Sequence, residues 1–366
     1  PGTASESQFN KAKRIYEYIE NTIHYSSVAF RQSGYIPQKP SVTLNTQLGD
    51  CKDLSRLFVA LCHKAGIAAN MVLIDTRDNG TRSMLLPGMD FNHCIARATL
   101  DNKDYFIELT DNNLPFAAMP NSLCGALMLD IPIHPGASSS GVAYLNTANR
   151  LRDKIVRSIE IRPKGSDLQY TTKVIKSGHL ASDMRADFRH SDEQKRLKDM
   201  EAAVAAGYAT GVKLKDLRFS GLDGLTDSVQ YQFSYLANDQ VSEVGTVNAF
   251  KINYHDVVAT MDRFPAEERT LPVEYWYYEN TDAYETQITV FAPDGMKFTT
   301  PPVSVSLAFK DLEYTLRFQL IDPGKLQVTR RFTNNRQQFY PPGDYEGLRS
   351  FFEKIVKAEQ KFVGYQ

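Results

Sequence analysis

Apolar residues recur every three or four positions in two segments near the start of the chain, residues 6–24 and 51–65. This period places them on one face of a helix, so the pattern predicts two amphipathic helices. The second helix has a clear end, because Gly66 stands where a glycine favours helix termination. Residues 25–49 show no such period, and their glycine and prolines favour loops.

Three runs with the pattern of short strands follow the second helix, at residues 67–75, 91–98 and 104–109. Residues 132–143 then contain Pro, Gly and a run of Ser, which is typical of a linker or a long loop. We therefore predict an N-terminal domain over residues 1–140.

Short alternating runs dominate the rest of the chain, residues 141–366, and predict a mostly-β, sandwich-like domain. Its two predicted helices are an insertion at 191–206 and a closing helix at 345–362, and a subdomain split is expected near residue 270. The runs that predict strands are 155–161, 168–175, 228–235, 274–278, 286–291, 303–309, 314–320 and 327–332.

The distribution of aromatic residues agrees with two domains of different character. Residues 1–220 contain 16 of them and the shorter stretch 221–366 contains 24. Because aromatic side chains are enriched in strands, the later part of the chain is the more β-rich part. The fold class predicted for the whole chain is α+β.

Charge and composition exclude several kinds of function. A net charge of −1 gives no bulk attraction to nucleic acid. No run of about 18 apolar residues is present, so no membrane span is predicted. The four cysteines form no Cys-x-x-Cys pair, and we predict neither a metal site nor a cofactor.

One motif points to chemistry: Gly49-Asp50-Cys51-Lys52-Asp53-Leu54, where a loop becomes the second predicted helix. Asp50 suits the N-cap and Asp53 can complete a capping box, which places Cys51 in the first turn. There the free backbone N–H groups and the positive end of the helix dipole favour a thiolate. The same N–H groups can hold an oxyanion beside the sulfur, so Cys51 is the candidate nucleophile.

A cysteine nucleophile needs a base and a group that orients the base. His93, in a predicted strand, is the candidate base, and its positive form would offset the two aspartates beside Cys51. The next strand offers Glu108 and, at its exit, Asp111 as the orienting acid. We favour Glu108 and keep Asp111 as the alternative. The other three cysteines, Cys62, Cys94 and Cys124, are expected to be core residues.

This order of motifs resembles the transglutaminase-like superfamily of cysteine enzymes, in particular bacterial proteins, common in Bacteroidetes, with a β domain after the core. The resemblance covers residues 6–125 well and implies a papain-like α+β core with a Cys–His–Asp triad. By motif, Cys51 matches the nucleophile and His93 the base. The motifs that carry it are Gly34-Tyr35-Ile36-Pro37, Gly49-Asp50-Cys51-Lys52-Asp53, Ala65-Gly66-Ile67, Phe91-Asn92-His93 and Glu108-Leu109-Thr110.

The chain departs from the family at two positions. Glu108 stands where the family has an aspartate, so either the longer side chain reaches His93, or Asp111 substitutes for it, or the triad is impaired. The cross-linking members of the family use tryptophan to exclude water from the thiol, and this chain has only Trp276, far along in the β domain. This difference favours hydrolysis over acyl transfer to amines.

Three functions are therefore open. The favoured one is a cysteine peptidase or amidase that acts on a peptide or protein through a thioester. The alternatives are a catalytically impaired binding or assembly module, and a protein-glutamine acyltransferase. The resemblance also implies export to the periplasm or cell surface, and a chain that begins Pro1-Gly2-Thr3 is expected to have lost its leading segment. The sequence does not indicate the oligomeric state.

Overall fold

A computed structural model describes residues 6–27, 34, 36–80, 90–132, 141–209, 211–275, 279, 281–335 and 339–366. Four features of the sequence interpretation lie outside these residues: most of the loop at 76–90, most of the linker at 132–143, Tyr35, and residues 276–278 of the predicted strand 274–278, which include Trp276. The chain forms two compact units. Unit 1 is Pro1–Arg152 with Ala181–Asp183 and Gly224–Asp227, and unit 2 is the remainder. The division falls later than residue 140, because residues 142–144 pair with the sheet of unit 1.

Unit 1 contains four helices and seven strands among its described residues. The helices are α1 (Gln8–Thr22), α2 (Pro40–Thr46), α3 (Cys51–Lys64) and α4 (Arg77–Gly80). The strands are β1 (His24–Tyr25), β2 (Leu48–Gly49), β3 (Ala69–Asp75), β4 (His93–Leu100), β5 (Lys103–Ile107), β6 (Leu127–Asp130) and β7 (Val142–Tyr144).

The apolar faces of α1 and α3 form one core with the sheet of unit 1, as their helical spacing predicts. Ala12 and Tyr16 of α1 and Leu57 and Phe58 of α3 are fully buried there. The sheet is antiparallel, in the order β5-β4-β3-β6-β7. Its other face packs a second apolar cluster around Val72. The cysteine-bearing helix therefore lies on an antiparallel sheet, as the resemblance implies.

Unit 2 is β-rich and ends with the closing helix that the sequence predicts. Its helices are α5 (His179–Phe188, of which Ala181–Asp183 belong to unit 1), α6 (Glu193–Ala205) and α7 (Tyr345–Glu359), with short 3-10 turns at Met261–Arg263 and Pro342–Asp344. Its strands are β8 (Lys154–Lys164), β9 (Asp167–Ser177), β10 (Leu214–Ser220), β11 (Ser228–Ala237), β12 (Ser242–Val244), β13 (Val247–Lys251), β14 (Val273–Glu274), β15 (Ala283–Phe291), β16 (Val305–Phe309), β17 (Leu312–Asp322), β18 (Lys325–Asn334), β19 (Phe339–Tyr340) and β20 (Phe362–Tyr365).

Eight of these strands form one sheet in the order β10-β11-β9-β8-β15-β18-β17-β16. Neighbours are antiparallel except β8 and β15, which pair in parallel near the centre. Burial along β8 alternates residue by residue, which is the consequence of the period-two pattern in its sequence. Two smaller sheets, β12-β13-β20 and β14-β19, complete the strands described here.

The sequence interpretation misses three helices: α2, α5 and the short α4, which lies in the predicted loop at 76–90. Residues 40–46 were assigned to loops because of Pro40, but Pro40 occupies the first turn of α2, where proline is tolerated. The segment of α5 was not predicted because its cap, Gly178, provides no side-chain hydrogen bond and its apolar face is weak. The closing helix also ends at Glu359, so Phe362 belongs to β20 rather than to the helix.

Candidate active site

The N-terminus of α3 has the cap that the sequence predicts. The Asp50 side chain accepts hydrogen bonds from the backbone N–H groups of Lys52 and Asp53, and the Asp53 side chain accepts one from the N–H of Asp50. These reciprocal bonds complete the capping box. At the other end, Gly66 adopts a left-handed φ of 74°, which allows the chain to leave the helix. Cys51 is thus held in the first turn of a well-defined helix.

Cys51 differs from the other cysteines in its exposure. All four thiols are free, but Cys51 is only partly buried while Cys62, Cys94 and Cys124 are buried. Burial raises the pKa of the Cys62 and Cys94 thiols to about 12, so both stay protonated near neutral pH. The three buried cysteines are therefore core residues, as predicted, and Cys51 is the one thiol of the four that reagents can reach.

His93 and Glu108 come together through neighbouring strands. His93 begins β4, and Glu108 directly follows β5, which pairs antiparallel with β4. His93 Nε2 lies 2.7 Å from Glu108 Oε2. The second carboxylate oxygen, Oε1, accepts bonds from the N–H of Leu109 and from both the N–H and the hydroxyl of Thr110, at 2.7–2.8 Å. Glu108 is therefore buried but fully hydrogen-bonded.

The charges of this pair stabilise each other. Burial alone would lower the pKa of His93, but the Glu108 carboxylate and hydrogen bonds with Cys51 and Glu108 raise it to about 10. Burial would raise the pKa of Glu108, and the His93 charge and the bonds from Thr110 lower it instead. At neutral pH the site therefore favours an imidazolium beside a carboxylate.

The Ser55 hydroxyl connects the first turn of α3 to the start of β4. Ser55 Oγ lies 2.7 Å from the carbonyl oxygen of Cys51 and 3.1 Å from that of Cys94, next to His93. Ser55 is fully buried, so this contact is shielded from water. It fixes the start of α3 against the start of β4, which sets the position of the thiol relative to the imidazole.

The alternative acid, Asp111, has other partners. Its Oδ2 accepts a hydrogen bond from the Ser182 hydroxyl, and its Oδ1 accepts one from the N–H of Asn113 at 3.0 Å. Within the described part of the chain, the carboxylate that reaches the His93 ring is that of Glu108. The extra methylene of Glu108, relative to the family's aspartate, is thus accommodated.

The loop before α2 is anchored to α3 by residues that the sequence interpretation did not assign. Asp53 accepts bonds from the N–H and the Nε2 of Gln38, both at 2.7 Å, and Arg56 donates to the carbonyl oxygen of Pro37 at 2.7 Å. Asp53 is 1% exposed. The capping residue therefore also positions the loop that borders the thiol, and only the tertiary contacts reveal this second role.

Two further side chains of the site were missed. Tyr25, in β1, lies within electrostatic reach of Cys51, Asp50 and Glu108. Glu20, in α1, has a buried Oε1 without a hydrogen-bond partner among the described residues. Burial, and then the charges of Asp111 and Glu108, raise the pKa of Glu20 to about 9. No local motif marks either residue, because both approach the site through folding.

Other kinds of site find no support in the described residues. They contain no group of three or more His, Cys, Asp or Glu side chains arranged to hold a metal ion. None of their helices has the length and apolar character that crossing a membrane requires.

Comparisons with known proteins give two matching families. Residues 2–107 match the transglutaminase-like superfamily, and residues 249–363 match a domain of unknown function with solved structure, DUF3858. No curated protein matches the chain.

A solved structure with a similar fold comes from Parabacteroides distasonis ATCC 8503 and is described as a putative protease. The two chains are 13% identical, with a TM-score of 0.53 over 99% of this chain and 52% of the other. The present chain therefore spans about half the length of that protein. At this identity the likeness shows the fold, and the family match independently covers Cys51 and His93.

Proposed function

Because residues 2–107 form a transglutaminase-like core, we propose that this protein is a cysteine hydrolase that cleaves amide bonds in a peptide or protein. Cys51 is the nucleophile, His93 the acid–base residue, and Glu108 the residue that orients the imidazole. The observation that carries the proposal is the contact of His93 Nε2 with Glu108 Oε2 at 2.7 Å, on an imidazole whose pKa is also raised by Cys51.

In the proposed reaction the thiol proton of Cys51 passes to His93, and the sulfur attacks the substrate carbonyl carbon. The sulfur–carbon bond forms, and the electrons of the C=O double bond move to oxygen. As the tetrahedral intermediate collapses, His93 gives its proton to the departing amine and the carbon–nitrogen bond breaks. A water molecule, deprotonated by His93, then attacks the thioester, and the acid product and the free thiol are released.

Glu108 has an electrostatic role in the proposed reaction. Its carboxylate stabilises the imidazolium and fixes which ring nitrogen faces the sulfur. Oε1 already accepts three hydrogen bonds, so the carboxylate has little freedom to turn away from His93. This arrangement favours an active hydrolase over the impaired module, whose main argument was the replacement of aspartate by glutamate.

Hydrolysis rather than acyl transfer is proposed because the matched core contains no tryptophan. The single tryptophan of the chain is Trp276, outside residues 2–107, so no indole from this core covers the thiol. The neighbour's description as a protease agrees with this choice at the level of the superfamily. Export remains a prediction from the resemblance alone.

The first test measures the rate at which iodoacetamide alkylates each cysteine near neutral pH, read by peptide mapping. We expect Cys51 to react at least about ten times faster than a free cysteine peptide, because the His93 imidazolium and the start of α3 place positive charge near its sulfur. His93→Gln should remove this advantage. The matched control is His63→Gln, since His63 lies at the far end of α3 and its Nε2 contacts the carbonyl oxygen of Ala69 at 2.7 Å.

The second test measures turnover of p-nitrophenyl acetate and of a peptide library, with added amine to detect acyl transfer. A Cys51-dependent burst of p-nitrophenol followed by cleaved peptides supports the hydrolase. Product in which amine exceeds water as the acceptor would establish the acyltransferase instead. Slow alkylation of Cys51 together with no Cys51-dependent acylation would leave the binding module as the function.

A further inference from the structure

Tyr25 is held beside the nucleophile by a short parallel strand pair. In the pairing of β1 with β2, Tyr25 lies opposite Gly49, and the N–H of Ser26 donates to the carbonyl oxygen of Gly49 at 2.8 Å. Gly49 precedes Cys51 by two residues. The backbone of Tyr25 is therefore fixed against the segment that enters the catalytic helix.

The close approach of β2 to α3 requires a glycine at position 49. A Cβ atom on Gly49 would lie 2.9 Å from Asp53 Cβ and 3.2 Å from Thr43 Cγ2, both closer than ordinary contact. Only glycine thus lets β2 run this close to α3. Since β1 is paired to β2, the same close approach determines where Tyr25 lies.

The phenol of Tyr25 combines access to solvent with a charged neighbourhood. The residue is 47% exposed. Partial burial, followed by the negative charges of Cys51, Asp50 and Glu108, raises the pKa of the phenol above its usual value. Tyr25 therefore stays protonated, and its O–H can donate a hydrogen bond near Cys51, Asp50 and Glu108.

We propose that Tyr25 is a further catalytic residue, whose phenol donates a hydrogen bond to the oxyanion of the tetrahedral intermediate, together with the backbone N–H of Cys51. This inference rests on the proposed function, because it concerns the intermediate formed by Cys51. When the sulfur adds to the carbonyl carbon, negative charge appears on the carbonyl oxygen and the phenol donates to it. The phenolic proton remains on Tyr25, and the bond weakens when the C=O double bond re-forms.

A role of this kind is separable from an effect on the thiol. Alkylation by iodoacetamide displaces iodide from a tetrahedral carbon and forms no oxyanion, whereas acylation by p-nitrophenyl acetate passes through one. A residue that only adjusts the sulfur changes both rates, while an oxyanion donor changes acylation alone. The comparison of the two rates therefore reports directly on the proposed contact.

The experiment measures both rates for the wild-type chain and for Tyr25→Phe, which removes only the hydroxyl. We expect acylation of Cys51 to slow about 100-fold and alkylation to change by less than about twofold. The matched control is Tyr18→Phe, because Tyr18 is 50% exposed and lies on α1 beside Leu61 and Lys64, near the opposite end of α3. Tyr18→Phe should leave both rates unchanged.

The possible results separate the two proposals. Equal slowing of both reactions in Tyr25→Phe would overturn the oxyanion role, since the phenol would then act on the sulfur. Unchanged acylation with Cys51-dependent turnover intact would overturn it as well, while leaving the hydrolase standing. If the wild-type chain shows no Cys51-dependent acylation, the hydrolase itself fails and the role of Tyr25 falls with it.

Discussion

Two histidines, one in each unit, show how differently the same side chain is used. His93 of unit 1 begins β4 and contacts the Glu108 carboxylate. His255 of unit 2 lies in the connection after β13, where its Nε2 is 3.1 Å from the hydroxyl of Tyr235. Both rings are largely covered, so burial does not by itself distinguish them.

The charges around the two rings have opposite signs. At His93 the Glu108 carboxylate overcomes the effect of burial and raises the pKa to about 10. At His255 burial, followed by the positive charges of Arg157 and Arg330, lowers the pKa to about 3 despite the opposing charge of Asp256. At neutral pH one histidine is a cation and the other is neutral.

The two environments have different consequences. His255 belongs to a network in which Arg157 makes two bonds to Asp256, at 2.7 and 2.8 Å, and Arg330 donates to Glu359. These charged groups bond mainly to each other, which suits a structural role. The groups that act on His93 instead include Cys51, whose thiol is partly exposed. A shifted histidine pKa therefore does not by itself indicate a reactive site, and the partners of the ring distinguish the two cases.

Changing each histidine in turn tests whether the two have different roles. His93→Gln should reduce Cys51-dependent turnover of p-nitrophenyl acetate by about 1000-fold or more, because both the base and the positive charge are lost. His255→Gln should leave turnover within about twofold and reduce the free energy of unfolding by about 1–3 kcal/mol. Urea unfolding and ester turnover measure the two effects, and equal activity losses would contradict the division of roles.

A smaller effect is expected when only the charge beside His93 is removed. Glu108→Gln should lower the pKa of His93 towards its ordinary value and reduce turnover by between about 100- and 10 000-fold. Glu108→Asp should retain part of the activity, since it keeps the charge but shortens the reach. Titration of the ¹³C-labelled histidine rings by NMR would show the change. A His93 ring in Glu108→Gln that still titrates near pH 10 would refute Glu108 as the source of the shift.

The pH dependence of stability should differ in sign between the two histidines. His93 binds its proton more tightly in the folded chain, so its contribution is complete below pH 6.5 and disappears as the pH rises to about 10. His255 binds its proton less tightly, so it destabilises the fold as the pH falls from 6.5 towards about 3. In urea unfolding, the stability advantage of wild type over His93→Gln should shrink on the alkaline side by on the order of 1 kcal/mol or more.

For His255→Gln, the same measurement should show the wild-type advantage shrinking on the acid side. Parallel pH profiles for the two variants would contradict the opposite charge environments.

The smallest effect concerns Glu20, the buried acid near the site. Its pKa is raised from 4.5 to about 9, so the folded chain holds the neutral form, and ionisation costs stability as the pH rises through this range. Glu20→Gln mimics the neutral acid. It should therefore match wild type at acid pH and be more stable by about 1 kcal/mol at mildly alkaline pH. Unfolding curves that coincide for the two chains at every pH would show that Glu20 is not held neutral.

Local patterns in the sequence determined several features correctly. The period of apolar residues predicted α1 and α3, alternation predicted most strands of the large sheet, and the Asp50 motif predicted the cap that holds Cys51. These features depend on neighbours within a few positions, so one chain contains the information they need. Of the three helices missed, α2 and α5 begin at residues without a capping side chain.

Only the tertiary structure decided how the site is completed. Glu108 reaches His93 because β4 and β5 are neighbours, whereas Asp111 accepts a hydrogen bond from Ser182. Tyr25 and Glu20 also lie near the site. The spacing of apolar residues along the chain does not predict their positions, because folding brings them there. The sequence thus determined which residue types could carry the chemistry. The distances and charges that decide which of them act together arise from strand pairing and burial, since both join residues far apart in the chain.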